Sequence, residues 1–150
     1  MKDIKFKAYI YDLTDEDSHP LEIDLMAGKL WDVTSINFKD QIVEIEDDDG
    51  NTWEYELNDE IALVQYTGLK DKDGKEIYEG DIVSVKYLYD KRTTDRAQVS
   101  WQEDKAGFGL KSLKGLTNEV YELYLVTANH NLEVIGNIYE NEGLLNETKI

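Results

Sequence analysis

The stretch "IVEIEDDDGNTWEYEL", residues 42–57, constrains the fold more than any other part of the chain. Val43 and Ile45 alternate with Glu44 and Glu46, and Trp53, Tyr55 and Leu57 alternate with Glu54 and Glu56. A period of two places each set on one side of an extended strand, so an apolar face can meet a core while the carboxylates stay in water. Asp49-Gly50 lies between the two runs and suits the positive φ angles of a tight reversal, so the segment predicts a β-hairpin. The run of aspartates also invites a calcium reading. If Gly50 were the sixth position of a calcium loop, Asp47, Asp49 and Glu56 would fall at the third, fifth and twelfth, but the first would be Ile45, which offers no ligand oxygen. "DKDG" at 71–74 fits worse, with Leu69 first and Gly80 twelfth.

Strand signals recur along the chain. In "IKFKAYI", Ile4, Phe6, Ala8 and Ile10 share one face and Lys5, Lys7 and Tyr9 the other. Met26 and Leu30 frame a turn at Gly28, and "LWDVTSINF" has strand composition. "IALVQY" at 61–66 reads as a buried strand, followed by "TGLKDKDGKEIYEGDIVSV". There Asp73-Gly74 marks a turn, and Gly80 permits a left-handed residue before the β-branched run that follows. The Asp81 carboxylate can accept backbone N–H groups of the turn that launches that run. "DKRTTDR" at 90–96 reads as a polar connection, and "AQVSW", "GFGLKSL" and "LEVIGNIY" as further strands. Gly107, Gly109 and Gly136 suit bulges or bends of a small curved barrel. Residues 116–126 read equally as a short helix capped by Thr117 or as a strand, and the acidic 12–28 stretch, with the chain's one proline at position 20, as a loop. These signals predict an all-β class with minor α content. The chain is expected to form one domain over 1–150, with an N-terminal β lobe at 1–65 and a barrel-like lobe at 66–145.

Charge narrows the function classes. The chain holds 33 acidic against 16 basic side chains, a net charge of −17. Residues 1–85 carry 8 bases against 23 acids, residues 86–114 carry 7 against 4, and residues 115–150 carry 1 against 6. An acidic body repels bare nucleic acid at long range. The exception is the basic segment, in which Lys86, Lys91, Arg92, Arg96, Lys105 and Lys111 fall near Tyr87, Tyr89, Trp101 and Phe108. Small barrels bind single strands with such sets, which makes this the nucleic-acid alternative. A second alternative is an acidic imitation of DNA directed at a host protein.

Catalytic signals are sparse. With no cysteine there are no thiolate ligands and no thiol nucleophiles. His19 and His130 are not spaced as a metal pair, and neither Gly-rich phosphate loops nor a Gly-x-Ser-x-Gly elbow occur. No run reaches the roughly 20 apolar residues of a membrane helix, and the start of the chain lacks the apolar core of a signal peptide. The expectation is a cytoplasmic protein without catalytic residues, cofactor or metal.

Four stretches resemble the YopX family of small proteins encoded by phages and prophages of Gram-positive bacteria. They are "IKFKAYIYD", "VQYTGLKDKDGKEIYEGDIV", "VSWQEDKAGFGL" and "LEVIGNIYENEGLL". The chain departs from the family pattern at Tyr9, where a tryptophan is common nearby, and at Glu142 and Gly143, where proline and glutamate are common. The resemblance implies an all-β fold whose C-terminal half is barrel-like, SH3-like or related, and it implies no catalytic or binding residues. The expected role is a phage or prophage accessory protein that binds a protein partner, including another copy of itself.

Overall fold

A computed structural model describes residues 3–11, 25–86, 94–113, 120–122 and 132–146. Eleven strands are present among them: β1 (Phe6–Ile10), β2 (Leu30–Asn37), β3 (Ile42–Glu46), β4 (Thr52–Glu56), β5 (Ile61–Lys70), β6 (Glu76–Tyr78), β7 (Asp81–Lys86), β8 (Thr94–Gln102), β9 (Gly107–Ser112), β10 (Val120–Glu122) and β11 (Leu132–Asn137). One helical turn, α1 (Gly143–Asn146), follows. All strand pairings are antiparallel, in sheets of order β4-β3-β2-β1-β5-β6 and β10-β9-β8-β7-β11. The chain forms two compact units, Lys5–Gln65 and a second made of Met1–Ile4 with Tyr66–Ile150.

In the Lys5–Gln65 unit, alternation decides which face is buried. Ala8, Ile10, Val43 and Ile45 form the core with Met26, and Trp31, Tyr55 and Leu63 pack against it. Each fully buried aliphatic side chain contributes about 1.5–3 kcal/mol. Gly28 takes φ 84° and gives its N–H to the Ile10 carbonyl at 2.8 Å, closing the turn into β2. Ile4 lies outside β1 and is 72% exposed, so the expected first strand is shorter than its alternation.

The hairpin of β3 and β4 pairs Val43 with Tyr55 and Ile45 with Trp53. Its tip departs from the expected tight turn. The Asp47 N–H reaches the Asn51 carbonyl at 2.8 Å, and Gly50 alone of the tip residues is left-handed, at φ 85°. Asp49 needs no positive φ because the loop carries one more residue and closes with a glycine bulge.

In the other unit, Ile77, Val83, Val85, Ala97, Val99, Leu110 and Leu132 form the core, with Leu69, Phe108 and Val134 against it. Gly74 (φ 82°) and Gly80 (φ 88°) occupy the turns expected of them. The Asp81 carboxylate accepts the Tyr78 N–H at 2.8 Å, so it holds the turn that launches β7. β11 enters beside β7, with a register shift between Val134 and Gly136. A Cβ on Gly136 would lie 2.7 Å from Leu144 Cδ1 and 2.8 Å from Asn141 Oδ1, so glycine lets the segment after β11 fold back over the strand.

Two further expectations need correction. Among the described residues the sheets do not close into a barrel. Closure requires the edge strands to pair along matched lengths with a consistent stagger, whereas β10 has three residues and ends one edge while β11 ends the other. Gly107 and Gly109 make no bulge, since β8 and β9 pair without a shift from Ala97–Ser112 to Gln102–Gly107. The left-handed residue of that hairpin is Ala106, at φ 50°. In the 116–126 stretch, residues 120–122 are strand β10 and the remainder lies outside the described residues. So do His19, His130, Pro20 and most of the acidic 12–28 loop. No helix among the described residues is long and apolar enough to cross a membrane.

Candidate functional site

The solvent face of the Lys5–Gln65 unit is built from the outward residues of four neighbouring strands. β1 contributes Lys7, β2 Asp32, β3 Glu44 and Glu46, and β4 Thr52, Glu54 and Glu56. The register sets Lys7 opposite Asp32, Asp32 opposite Glu46, and Glu44 opposite Glu54. The first pairing is attractive. The other two oppose carboxylate to carboxylate, which destabilises an antiparallel ladder by some tenths of a kcal/mol each. Thr34 offsets part of this by donating its hydroxyl to Glu44 Oε1 at 2.7 Å.

At one end of this face an open depression of about 450 Å³ is lined by Lys7, Leu30, Trp31, Asp32, Glu46, Asp47 and Asp48. Its aromatic wall is already engaged: Trp31 donates its indole N–H to the Met26 carbonyl at 2.8 Å, and the Lys29 ammonium sits 5.7 Å from the ring centroid. Asp47 is turned to its own loop. Oδ1 accepts the Asp49 N–H at 3.0 Å and the Asn51 N–H at 2.8 Å, and Oδ2 accepts the Trp53 indole N–H and the Asn51 side chain at 3.3 Å each. Desolvation pushes the Asp47 pKa up, and the hydrogen bonds from Asn51, Trp53 and Asp49 outweigh it, holding the pKa below its ordinary value. N–H donors aimed at a carboxylate are the wrong partners for a cation. Among the described residues no group of three or more His, Asp or Glu is arranged to hold a metal ion.

β4 ends its sheet, and no strand pairs with its outer edge among the described residues. Bonds from Asp47 N–H to the Asn51 carbonyl and from Leu57 N–H to the Gln41 carbonyl bracket the β3–β4 ladder. Antiparallel alternation then turns the N–H and C=O of Trp53 and Tyr55 inward to β3, and those of Thr52, Glu54 and Glu56 outward. Trp53 stays 43% exposed beside this open edge, its ring held by Asp47.

The basic residues singled out in the sequence are distributed as follows. Lys91 and Arg92 lie outside the described residues, as do Tyr87 and Tyr89, and Lys86 is described only as the last residue of β7. Arg96 and Lys111 share one face of the β7-β8-β9 sheet, next to Gln98. Trp101 and Phe108 stand on the other face, ring centroids 5.1 Å apart and edge to face, continuing the side occupied by Val99 and Leu110. Lys105 is in the β8–β9 turn beside Glu103 and Asp104. The pleat thus separates the described basic side chains on the strands from the described aromatic pair.

One buried carboxylate was invisible as such in the sequence. Asp71, 8% exposed, accepts the Asp73 and Lys75 N–H groups on Oδ1 and the Val134 N–H on Oδ2, all at 2.9 Å. Desolvation opposes its ionisation, but the bonds from Val134, Lys75 and Asp73, aided by the Lys75 charge, hold the pKa below the ordinary value. Each of those bonds ties backbone to a fixed anion, which suits a fastening role.

Comparison with known proteins bears on ancestry rather than on chemistry. None of the curated proteins matches the chain. Among solved structures, the crystal structure of protein EF1440 from Enterococcus faecalis is similar, at 20% identity over 97% of this chain and 99% of that one, with a TM-score of 0.49. The family model described as YopX protein matches residues 23–146. With most of its length matched in this way, the chain belongs to the YopX family.

Proposed function

We propose that the protein is a non-catalytic interaction module, an accessory protein of phage or prophage origin that binds a protein partner in the host cytoplasm. The observation that carries this reading is the carboxylate-on-carboxylate pairing of Asp32 with Glu46 and of Glu44 with Glu54 on one solvent face. Like charges placed directly opposite each other oppose folding. A cationic protein surface laid across them reverses the sign of that interaction and gains from electrostatic steering. The partner class is therefore a basic protein.

The direct test is capture from host lysate on the immobilised full chain, beside a folded control protein of matched charge. Enrichment of a basic protein over the control, released by salt, is the expected result. If no protein is enriched beyond the control, the reading is wrong. The same acidic face also favours a second reading, imitation of DNA, under which the captured protein binds DNA and added duplex displaces it.

A further inference from the structure

The open edge of β4 combines three properties that otherwise occur apart. Its outward N–H and C=O groups belong to Thr52, Glu54 and Glu56, which form a hydrogen-bonding rail with no partner strand among the described residues. Two of those three residues are anionic, and the row running through Glu44 and Glu54 already places two carboxylates side by side. On the opposite face of the same strand, Trp53 is 43% exposed and is fixed by its indole bond to Asp47. A natural sheet guards such an edge with lysines, prolines or bulges. β4 has none of these, and its guard is negative charge alone.

From this the geometry points to strand addition at β4 by an extended segment of the partner protein in which Lys or Arg alternates with apolar residues. The inference rests on the protein-binding reading above and specifies where and how the partner binds. Main-chain bonds to Thr52, Glu54 and Glu56 supply the pairing, and alternate side chains supply the selection. Cationic residues of the incoming strand fall opposite Glu54 and Glu56, and the one opposite Glu54 extends the row in which Glu44 already faces Glu54. Apolar residues fall on the side of Trp53 and Tyr55. A second copy of this chain is a poor occupant. Two β4 strands aligned antiparallel about Glu54 set Glu54 against Glu54, the like-charge arrangement that disfavours pairing.

The experiment uses the full-length protein and two capped peptides of one composition: Lys-Val-Lys-Val-Lys-Val-Lys, and the same residues blocked as Lys-Lys-Lys-Lys-Val-Val-Val. The readouts are NMR titration and amide exchange. Saturable binding of the alternating peptide, with slowed exchange at the Thr52, Glu54 and Glu56 amides and a shifted Trp53 indole resonance, is the expected result. E54P removes one outward N–H and leaves the β3–β4 ladder intact, so it is expected to weaken the alternating peptide by roughly tenfold or more. E54K with E56K keeps the backbone and reverses the charge, so it serves if the proline variant fails to fold, and a comparable loss is expected. Equal binding of both peptides without amide protection overturns strand addition and leaves a merely electrostatic face. Absence of binding by the alternating peptide also overturns it. If a protein captured from lysate binds E54P as well as it binds the parent chain, the edge is not its site, while the interaction reading itself survives.

Discussion

Two turns of this molecule are built alike and do different work. In "DDDGN" at 47–51 and "DKDGK" at 71–75, the first aspartate accepts on Oδ1 the N–H groups two and four residues on. In both, the glycine N–H returns to that aspartate's carbonyl, at 3.1 Å for Gly50 and 3.0 Å for Gly74, and the glycine is left-handed. The difference lies in the other oxygen. Asp47 Oδ2 serves the exposed Trp53 ring and the Asn51 side chain within the same hairpin. Asp71 Oδ2 reaches the Val134 N–H, 63 residues away in sequence, while the Lys72 N–H meets the Leu132 carbonyl at 3.0 Å and the Lys72 ammonium pairs with Glu133 at 3.5 Å. A local motif specifies a turn. The aspartate's second oxygen determines whether the turn stays a hairpin tip or becomes a fastener between distant segments.

The largest test of this contrast is Asp71→Ala. It strands three N–H groups in a residue environment only 8% exposed, and a loss of about 2–4 kcal/mol is expected in urea unfolding. Exchange at the Val134 amide should quicken in that variant, and a loss no larger than that of Asp47→Ala would end the contrast. Acid titration comes next. Both aspartates have lowered pKa values when folded, so their contribution is complete above the unfolded value of about 4 and fades as pH falls through the folded one. Asp71→Asn, which cannot ionise, should flatten the stability profile below about pH 4 more than Asp47→Asn does. A profile unchanged by Asp71→Asn would remove the electrostatic part of the fastener. Gly74→Ala and Gly50→Ala probe the shared half of the comparison. No atom lies within 4 Å of the added Cβ at Gly74 and only Glu46 Oε1, at 3.7 Å, at Gly50, so each should cost about 1 kcal/mol from backbone strain alone. Clearly unequal losses would show that the turns are not equivalent. The smallest effect is expected for Asp47→Ala, read best as a shift of the Trp53 indole resonance with little movement of the unfolding midpoint.

Much of the fold was legible because its determinants are local. Alternation marked β3, β4 and the buried face of β1, and Asp-Gly pairs marked both turns. The Asp81 role, anchoring the turn before β7, also followed from the sequence, since its partner is three residues away. What escaped depended on who lies beside whom. The anchoring role of Asp71 left no mark in the sequence, because nothing in its neighbourhood signals Val134. Gly136 read as the place of a bulge or bend, and the register does shift beside it, but the reason for glycine is the approach of Asn141 and Leu144, a contact made only once the following segment turns back. The barrel expectation assumed that curved strands meet. Whether edges pair is a property of their lengths and order, which composition does not encode. The candidate site follows the same division. Glu54 and Glu56 were visible as the polar side of a hairpin strand, while the position of that strand at the end of its sheet was not.

The place of β11 has a consequence for how the chain is made. Synthesis runs from the N-terminus, and β7 is complete long before Leu132–Asn137 emerges to lie alongside it. During that interval one edge of β7 has no neighbour from β11, and Leu132 has yet to join the cluster that holds Val83 and Val85. A ribosome that stalls before residue 132 therefore holds a nascent chain in which that edge of β7 is bare, and chaperone capture or misassociation should be concentrated in that window.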